Sequence, residues 1–257
     1  MKKIVITACV TLQLMNVAQA QIFNNILKQG KDVINNAGAG NAANTINNAT
    51  SGVLGNGLSN TDIISGLKEA LSVGTNNSTG MASKLDGYLK NPAIKIPFPK
   101  DAVLMEQQLR AVGMGKQCDA LITSLNRAAE KAAVDAAPIF LNAIKCITID
   151  DGLSILNGGD NAATNFLKTG TNAELKAKFL PVIKAALINV NATRYWNPLF
   201  TRYNKIPMVQ KVNPNLDAYV TDKAIEGLFK LVAVEEIKIR KDPDARVSDI
   251  LKKVFGS

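Results

Sequence analysis

The sequence predicts an all-α protein, a compact multi-helix bundle of short and medium helices, with at most one short extended segment around residues 94–96. Three observations carry this. Aromatic content is only 5% against 47% hydrophobic residues, so the core is aliphatic and Ala-rich, which suits close helix packing. Apolar residues recur at i, i+3, i+4 and i+7 in several stretches. Capping residues and Gly or Pro breaks separate those stretches at short intervals.

Residues 1–20 read as a secretory signal peptide. Lys2 and Lys3 form a basic start, 4–15 is an apolar run too short to span a bilayer, and Ala18-Gln19-Ala20 is a small-residue cleavage site. The rival reading takes Ile6-Thr7-Ala8-Cys9 as a lipobox, which would leave a lipoprotein anchored through Cys9. A short amphipathic helix is expected within 21–36, followed by an Asn/Gly-rich linker over 37–60. Residues 61–257 are expected to form a single helical domain.

Within that domain, Thr61 is expected to cap a helix over 61–73. A polar break follows at 74–80, then a second helix over 81–90. The prolines of 91–99 exclude helix, and Ile94-Lys95-Ile96 alternates as an extended segment. A helix over 103–112 should turn Leu104, Leu109 and Val112 inward. The longest pattern is 117–147, with Cys118, Leu121, Leu125, Ala128, Ala132, Ala136, Ile139 and Ala143 on one stripe, kinked or split at Pro138. Arg127 and Glu130 point away from this stripe as an exposed i, i+3 pair. Cys118 and Cys146, both on the stripe, are expected to be buried and unbridged unless Pro138 folds the helix back on itself. A continuous helix would hold them about 40 Å apart, whereas a disulfide needs about 6 Å between Cα atoms.

Thr148 with Asp150 and Asp151 reads as a capped helix start, and Asp160 as the cap of the next helix, ending near Gly170. Thr171 and Glu174 form a capping box for a helix to about residue 190, interrupted by Pro181. Another helix surrounds Trp196. The 221–241 helix places Ile225, Leu228, Phe229, Val232 and Ile239 on one face, with Glu236 in its middle and Glu235 at its edge. A carboxylate there needs a partner. Arg240, at i+4, is the first expected partner and Arg127 the second. A last short helix is expected from Ser248.

Absences narrow the chemistry. The chain has no His, which removes Ser-His-Asp and Cys-His nucleophiles, His bases and HExxH zinc sites together. Gly115-Lys116 is not a phosphate loop, because Arg110 stands where its first Gly belongs. The net charge of +9 comes from scattered Lys and Arg interleaved with acids, a pattern of a charged surface rather than a nucleic-acid site.

Several blocks together carry a resemblance. They are Ser65-Gly66-Leu67-Lys68-Glu69-Ala70-Leu71, Ile94-Lys95-Ile96-Pro97-Phe98-Pro99 and Asn126-Arg127-Ala128-Ala129-Glu130. To these add Asp160-Asn161-Ala162-Ala163-Thr164, Tyr219-Val220-Thr221, Gly227-Leu228-Phe229 and the ending from Ile239 to Gly256. In order and spacing the chain resembles the bacterial domain-of-unknown-function family 4197 (DUF4197) over residues 61–256. The resemblance implies an exported, largely helical bacterial protein with no known activity or cofactor, and it transfers no catalytic residue.

Two functions are therefore expected. The first is a non-catalytic module of the periplasm or envelope that binds a lipid, a small ligand or a protein, with no cofactor, nucleic acid or transmembrane helix. The alternative is a His-free enzyme using Asp, Glu, Arg and Tyr in a cleft. The candidate ligand-binding residues are Arg127, Glu130, Asp160, Tyr195, Tyr203, Glu235, Glu236 and Arg240.

Overall fold

The computed structural model describes residues 59–189, 196, 200, 201, 203–205, 208, 211, 215–246, 248, 252 and 254. The expected signal peptide, the 21–36 helix and residues 37–58 of the expected linker lie outside them, as does most of the expected final helix; Asn60, placed in that linker, opens the first helix. The description below concerns the compact unit Thr61–Ser257. Its described residues form helices α1 (Asn60–Ser83), α2 (Val103–Ala111), α3 (Gly115–Ala133), α4 (Ala136–Lys145), α5 (Ile149–Leu156), α6 (Ala162–Asn189) and α7 (Leu216–Lys241). Two 3₁₀ turns, Lys100–Ala102 and Pro243–Ala245, complete them. The fold is an all-α bundle.

The centre of the bundle is α6, which packs against α3, α4, α5 and α7. Ala163, Leu167, Thr171, Leu175, Phe179, Ile183 and Leu187 are all buried, at every fourth position. Each step of four residues advances about 400°, so the stripe drifts by about 40° per step and by roughly 240° along the helix. It therefore meets different neighbours in turn. The expected break at Gly170 and the capping box at Thr171 and Glu174 do not occur. The Thr171 hydroxyl instead donates to the Leu167 carbonyl (2.7 Å), a bond available only inside a continuous helix. Pro181 is carried within the helix.

Helix α1 also runs through its expected break. Gly74, Thr75, Ser78 and Thr79 are buried within it. The Thr75 and Ser78 hydroxyls donate to the Leu71 and Gly74 carbonyls (2.7 Å each), so neither polar group is left unpaired on burial. Gly74 brings α1 close to α7: a Cβ at this position would lie 3.4 Å from the Cβ of Glu235. The expected 81–90 helix is replaced by turns after Ser83, with Asp86 at φ 67°.

The long 117–147 pattern divides at Val134-Asp135 into α3 and α4, and Pro138 sits in the first turn of α4, where its missing N–H is of no consequence. Asp135 precedes α4 and Cys146 follows it. Cys118 is buried, but Cys146 is exposed, because it lies past the last turn of α4 rather than on a continuing stripe. No disulfide joins them. In α2 the inward residues are Met105 and, in part, Leu109. Leu104 (60% exposed) and Val112 (73%) face outward, contrary to the expected face. Phe140 of α4 meets Phe229 of α7 edge-on at 5.6 Å, and this contact joins the two helices across the core.

Candidate functional site

The longest-range polar construction is built on α7. Asn215 caps that helix through its side chain (Ala218 N–H to Oδ1, 3.0 Å), which starts it five residues before the expected Thr221. Its apolar face then delivers Glu236 into the core at 7% exposure. Oε1 of Glu236 accepts the Ala163 amide (3.0 Å) and both Nε and an Nη of Arg240 (3.0 and 2.9 Å). Oε2 accepts the Thr164 amide (2.8 Å) and hydroxyl (2.7 Å). Glu236 is thus the cap of α6, supplied from another helix. The carboxylate also complements the positive end of the α6 dipole.

Arg240 completes the joint from the other side. Its guanidinium donates to the Ile155 carbonyl (2.8 Å) and the Leu156 carbonyl (3.4 Å), which end α5. Glu236 and Arg240 therefore hold the end of one helix and the start of the next. Asp160 is not the cap expected at this corner: it lies outside, half exposed, paired with Lys241 (2.5 Å). Glu236 does not meet Arg127.

Arg127 and Glu130 belong to a second cluster. The pair expected to be exposed is built into the turn after α1, and Glu130 is 4% exposed. One Arg127 Nη reaches Glu130 Oε2 (2.5 Å), and the other reaches Asp86 Oδ1 (2.6 Å). Glu130 Oε1 accepts the amides of Tyr88 and Leu89 (3.1 and 3.2 Å). The neighbouring Lys90 also pairs with Asp86 (2.8 Å). Hydrogen bonds from Lys90 and then Arg127 hold the Asp86 carboxyl below the usual range. The Tyr88 hydroxyl donates to the Ala224 carbonyl of α7 (2.6 Å), and burial pushes its pKa far up.

Glu235 faces α1. It is as buried as Glu236, not at the edge of the face. Its Oε2 accepts from Asn77 Nδ2 (3.0 Å) and its Oε1 from Lys238 Nζ (2.6 Å). Tyr203 is a core side chain. Tyr195 lies outside the described residues. The expected site residues that are described thus fall into three separate polar clusters, one surface ion pair and one core position.

The sequence reading missed Asn126, Asp86, Asn77 and Thr164. The expected extended 94–96 segment is instead a turn closed on the Asn91 carbonyl, which accepts the Ile94 and Lys95 amides (3.2 and 2.8 Å), and Asn126 holds the chain as it leaves that turn: it accepts the Ile96 amide and donates to the Ile96 carbonyl, each at 2.8 Å. Its detectable signal was a lone amide beside the Ala-rich stripe of α3. Asp86-Gly87 carried a turn signal. Thr164 and Asn77 carried none.

Room for a ligand is unevenly distributed. The cavity beside Glu236 and Arg240, floored by Leu67, Leu71 and Val232, has about 20 Å³, space for about one water. A second of the same size lies between Phe98, Leu109, Cys118 and Trp196. The Trp196 Nε1 is buried there with no hydrogen-bond partner among the described residues. A groove between α1 and α7, above Glu235, has about 420 Å³. Among the described residues no group of three or more Cys, Asp or Glu is placed to hold a metal ion. None of the described helices is long and apolar enough to cross a membrane.

The family described as "Protein of unknown function (DUF4197)" matches residues 57–256. No curated protein and no solved structure matches the chain.

Proposed function

The chain belongs to the DUF4197 family, and from that premise we propose that it is a non-catalytic helical module of the bacterial envelope that binds a small ligand, a lipid or a protein. The observation that carries this reading is the occupancy of Glu236. Its two oxygens take five donors, two backbone amides among them. A catalytic carboxylate must give or take a proton at a substrate atom within hydrogen-bond reach. Both Glu236 oxygens are already engaged, and the cavity it lines admits about one water. Glu130 is spent in the same way, on two amides and Arg127. With no His in the sequence, the buried acids act as structural joints, and binding falls to the surface.

The envelope location rests on the n-region, apolar run and Ala18-Gln19-Ala20 of the first twenty residues. Native mass spectrometry of the protein purified from its own envelope tests both parts. A non-covalent adduct on a chain beginning at Gln21 supports the reading. A chain that retains residues 1–20 in the cytoplasm refutes the location. A chain beginning with a lipid-modified Cys9 replaces it with a membrane anchor.

A further inference from the structure

We propose that the groove between α1 and α7 is a binding site for an organic phosphate. The argument starts from its volume. At about 420 Å³ it falls within the size range of small-molecule sites, roughly 300–1,000 Å³, whereas the two apolar cavities do not. Asn76, Asn77, Gly80 and Met81 of α1, with Lys84 just past its end, line one wall, and Glu235 and Lys238 line the other from α7.

The chemistry of the walls is donor-rich. The one carboxylate, Glu235, is buried and already engaged by Asn77 and Lys238. That leaves two N–H groups on Lys238 and one on Asn77, besides the Asn76 amide. Lys84 is exposed and makes no ion pair among the described residues. Two ammonium groups against one carboxylate leave the groove with one net positive charge. A ligand with several acceptor oxygens and negative charge fits it. Lysine ammoniums bind phosphate oxygens as mobile point charges, without the bidentate geometry that Arg imposes on carboxylate and phosphate alike. Met81, 38% exposed on the same wall, offers an apolar surface to the organic part of the ligand.

Gly80 provides the test, because a side chain added there meets nothing within 4 Å. Gly80→Gln projects into the groove and also replaces a helical Gly by a better helix former, so the variant folds. Calorimetric titration of the full chain uses glycerol 3-phosphate, with glycerol and acetate as comparators. A parallel arm measures co-sedimentation with phosphatidylcholine vesicles with and without phosphatidylglycerol. The expected result is saturable binding of glycerol 3-phosphate in preference to both comparators, weakened roughly tenfold or more by Gly80→Gln and also by Lys84→Gln. Vesicle binding that needs phosphatidylglycerol and is lost in Gly80→Gln, without binding of the soluble ester, assigns the phosphate to a lipid headgroup. Binding unaffected by Gly80→Gln in either arm, or no binding in both, overturns the proposal. The proposal rests on the binding-module reading, and the two fail differently. Hydrolysis of the ester would overturn the non-catalytic reading and leave the site. Absence of binding removes the site and leaves that reading.

Discussion

Glu236 caps a helix to which it does not belong: its carboxylate receives both the amide and the hydroxyl of Thr164, 72 residues earlier in the chain, at 2.8 and 2.7 Å. Replacing it leaves two α6 amides without an acceptor and a mostly buried Arg240 without its carboxylate. Breaking one side of a buried pair typically costs ~3–5 kcal/mol, so Glu236→Ala should lose about that much in urea unfolding. Glu236→Gln should lose less, because the amide oxygen still accepts one bond. Neither should alter phosphate binding in the α1–α7 groove. A Glu236→Ala protein that unfolds at the wild-type midpoint would refute the capping role.

Glu235 and Glu236 are equally buried, yet their substitutions should not be equivalent. Glu235 is held by side chains, and its Lys238 partner is half exposed, so both partners can turn to solvent when it is removed. Glu235→Ala should cost ~0.5–1.5 kcal/mol, the net worth of a hydrogen bond whose partner is not left buried, and less than Glu236→Ala in the same experiment. It should also perturb the groove, which Glu236→Ala should not.

The difference between what was legible and what was not lies in the range of the signal. The inward Glu236 and its Arg240 partner were visible, because both lie on one helix at fixed angular spacing. The capped α6 start was not, because nothing near Ala163 or Thr164 in sequence names a residue of α7. Helix α6 was misread as two helices because its buried stripe winds around the axis and never forms a single face. The Gly-Thr-Asn-Asn-Ser-Thr-Gly run of α1 has loop composition. Packing against α7 and hydroxyl bonds to preceding carbonyls override that propensity. Asn126 shows only as a lone amide beside the Ala-rich stripe, and nothing in the sequence names the Ile96 backbone as its partner.

The Asp86 cluster sets an acid-side prediction. Its folded-state pKa lies below the unfolded value, so its contribution is fully present above the unfolded pKa and is lost as pH falls through the folded one. Asp86→Asn should therefore be less stable than wild type at pH 7. The gap should close below about pH 4, near the unfolded value. Urea midpoints followed by the fluorescence of Trp196, the sole tryptophan, measure it. A gap that persists unchanged to pH 2 would contradict the ion-pair account.

Tyr219 sets the alkaline side. Its hydroxyl donates to the Pro97 and Phe98 carbonyls (3.1 and 3.3 Å). Burial, with the charges of Asp101 and Glu226, pushes its pKa up to about 12. A raised folded pKa gives stability that is present below the unfolded pKa, about 10, and lost as pH rises through the folded one. Wild type should lose stability faster than Tyr219→Phe between about pH 10 and 12. Parallel decline of the two proteins would show that the hydroxyl does not titrate with folding.

The thiols should differ in reactivity. Cys118 is buried beside Trp196, and burial pushes its pKa up, so its reactive thiolate is suppressed. Cys146 is exposed after α4. Maleimide labelling of the native protein, mapped by peptide mass, should modify Cys146 and spare Cys118 until denaturant is added. Native labelling of Cys118 would mean that the wall formed by Leu109, Met114 and Leu121 opens.

Two glycines of the bundle should respond oppositely to the same added methyl. Gly80 lies in a helix with open space on its side-chain face, so Gly80→Ala should gain the ordinary helical advantage of Ala, ~0.5–1 kcal/mol. Gly227 of α7 lies under the turn at 91–96. A Cβ there would fall 2.9 Å from the Tyr88 ring and 3.1 Å from the Cβ of Ile94. Neither neighbour can turn aside. Tyr88 is fixed by its bond to Ala224 and by the Glu130 contact to its amide, and Ile94 precedes the Ile96 held by Asn126. Overpacking of this kind costs ~1–3 kcal/mol, which exceeds the helical gain. Gly227→Ala should therefore lower the melting temperature while Gly80→Ala raises it. If both variants rise together, the turn at 91–96 does not press on α7.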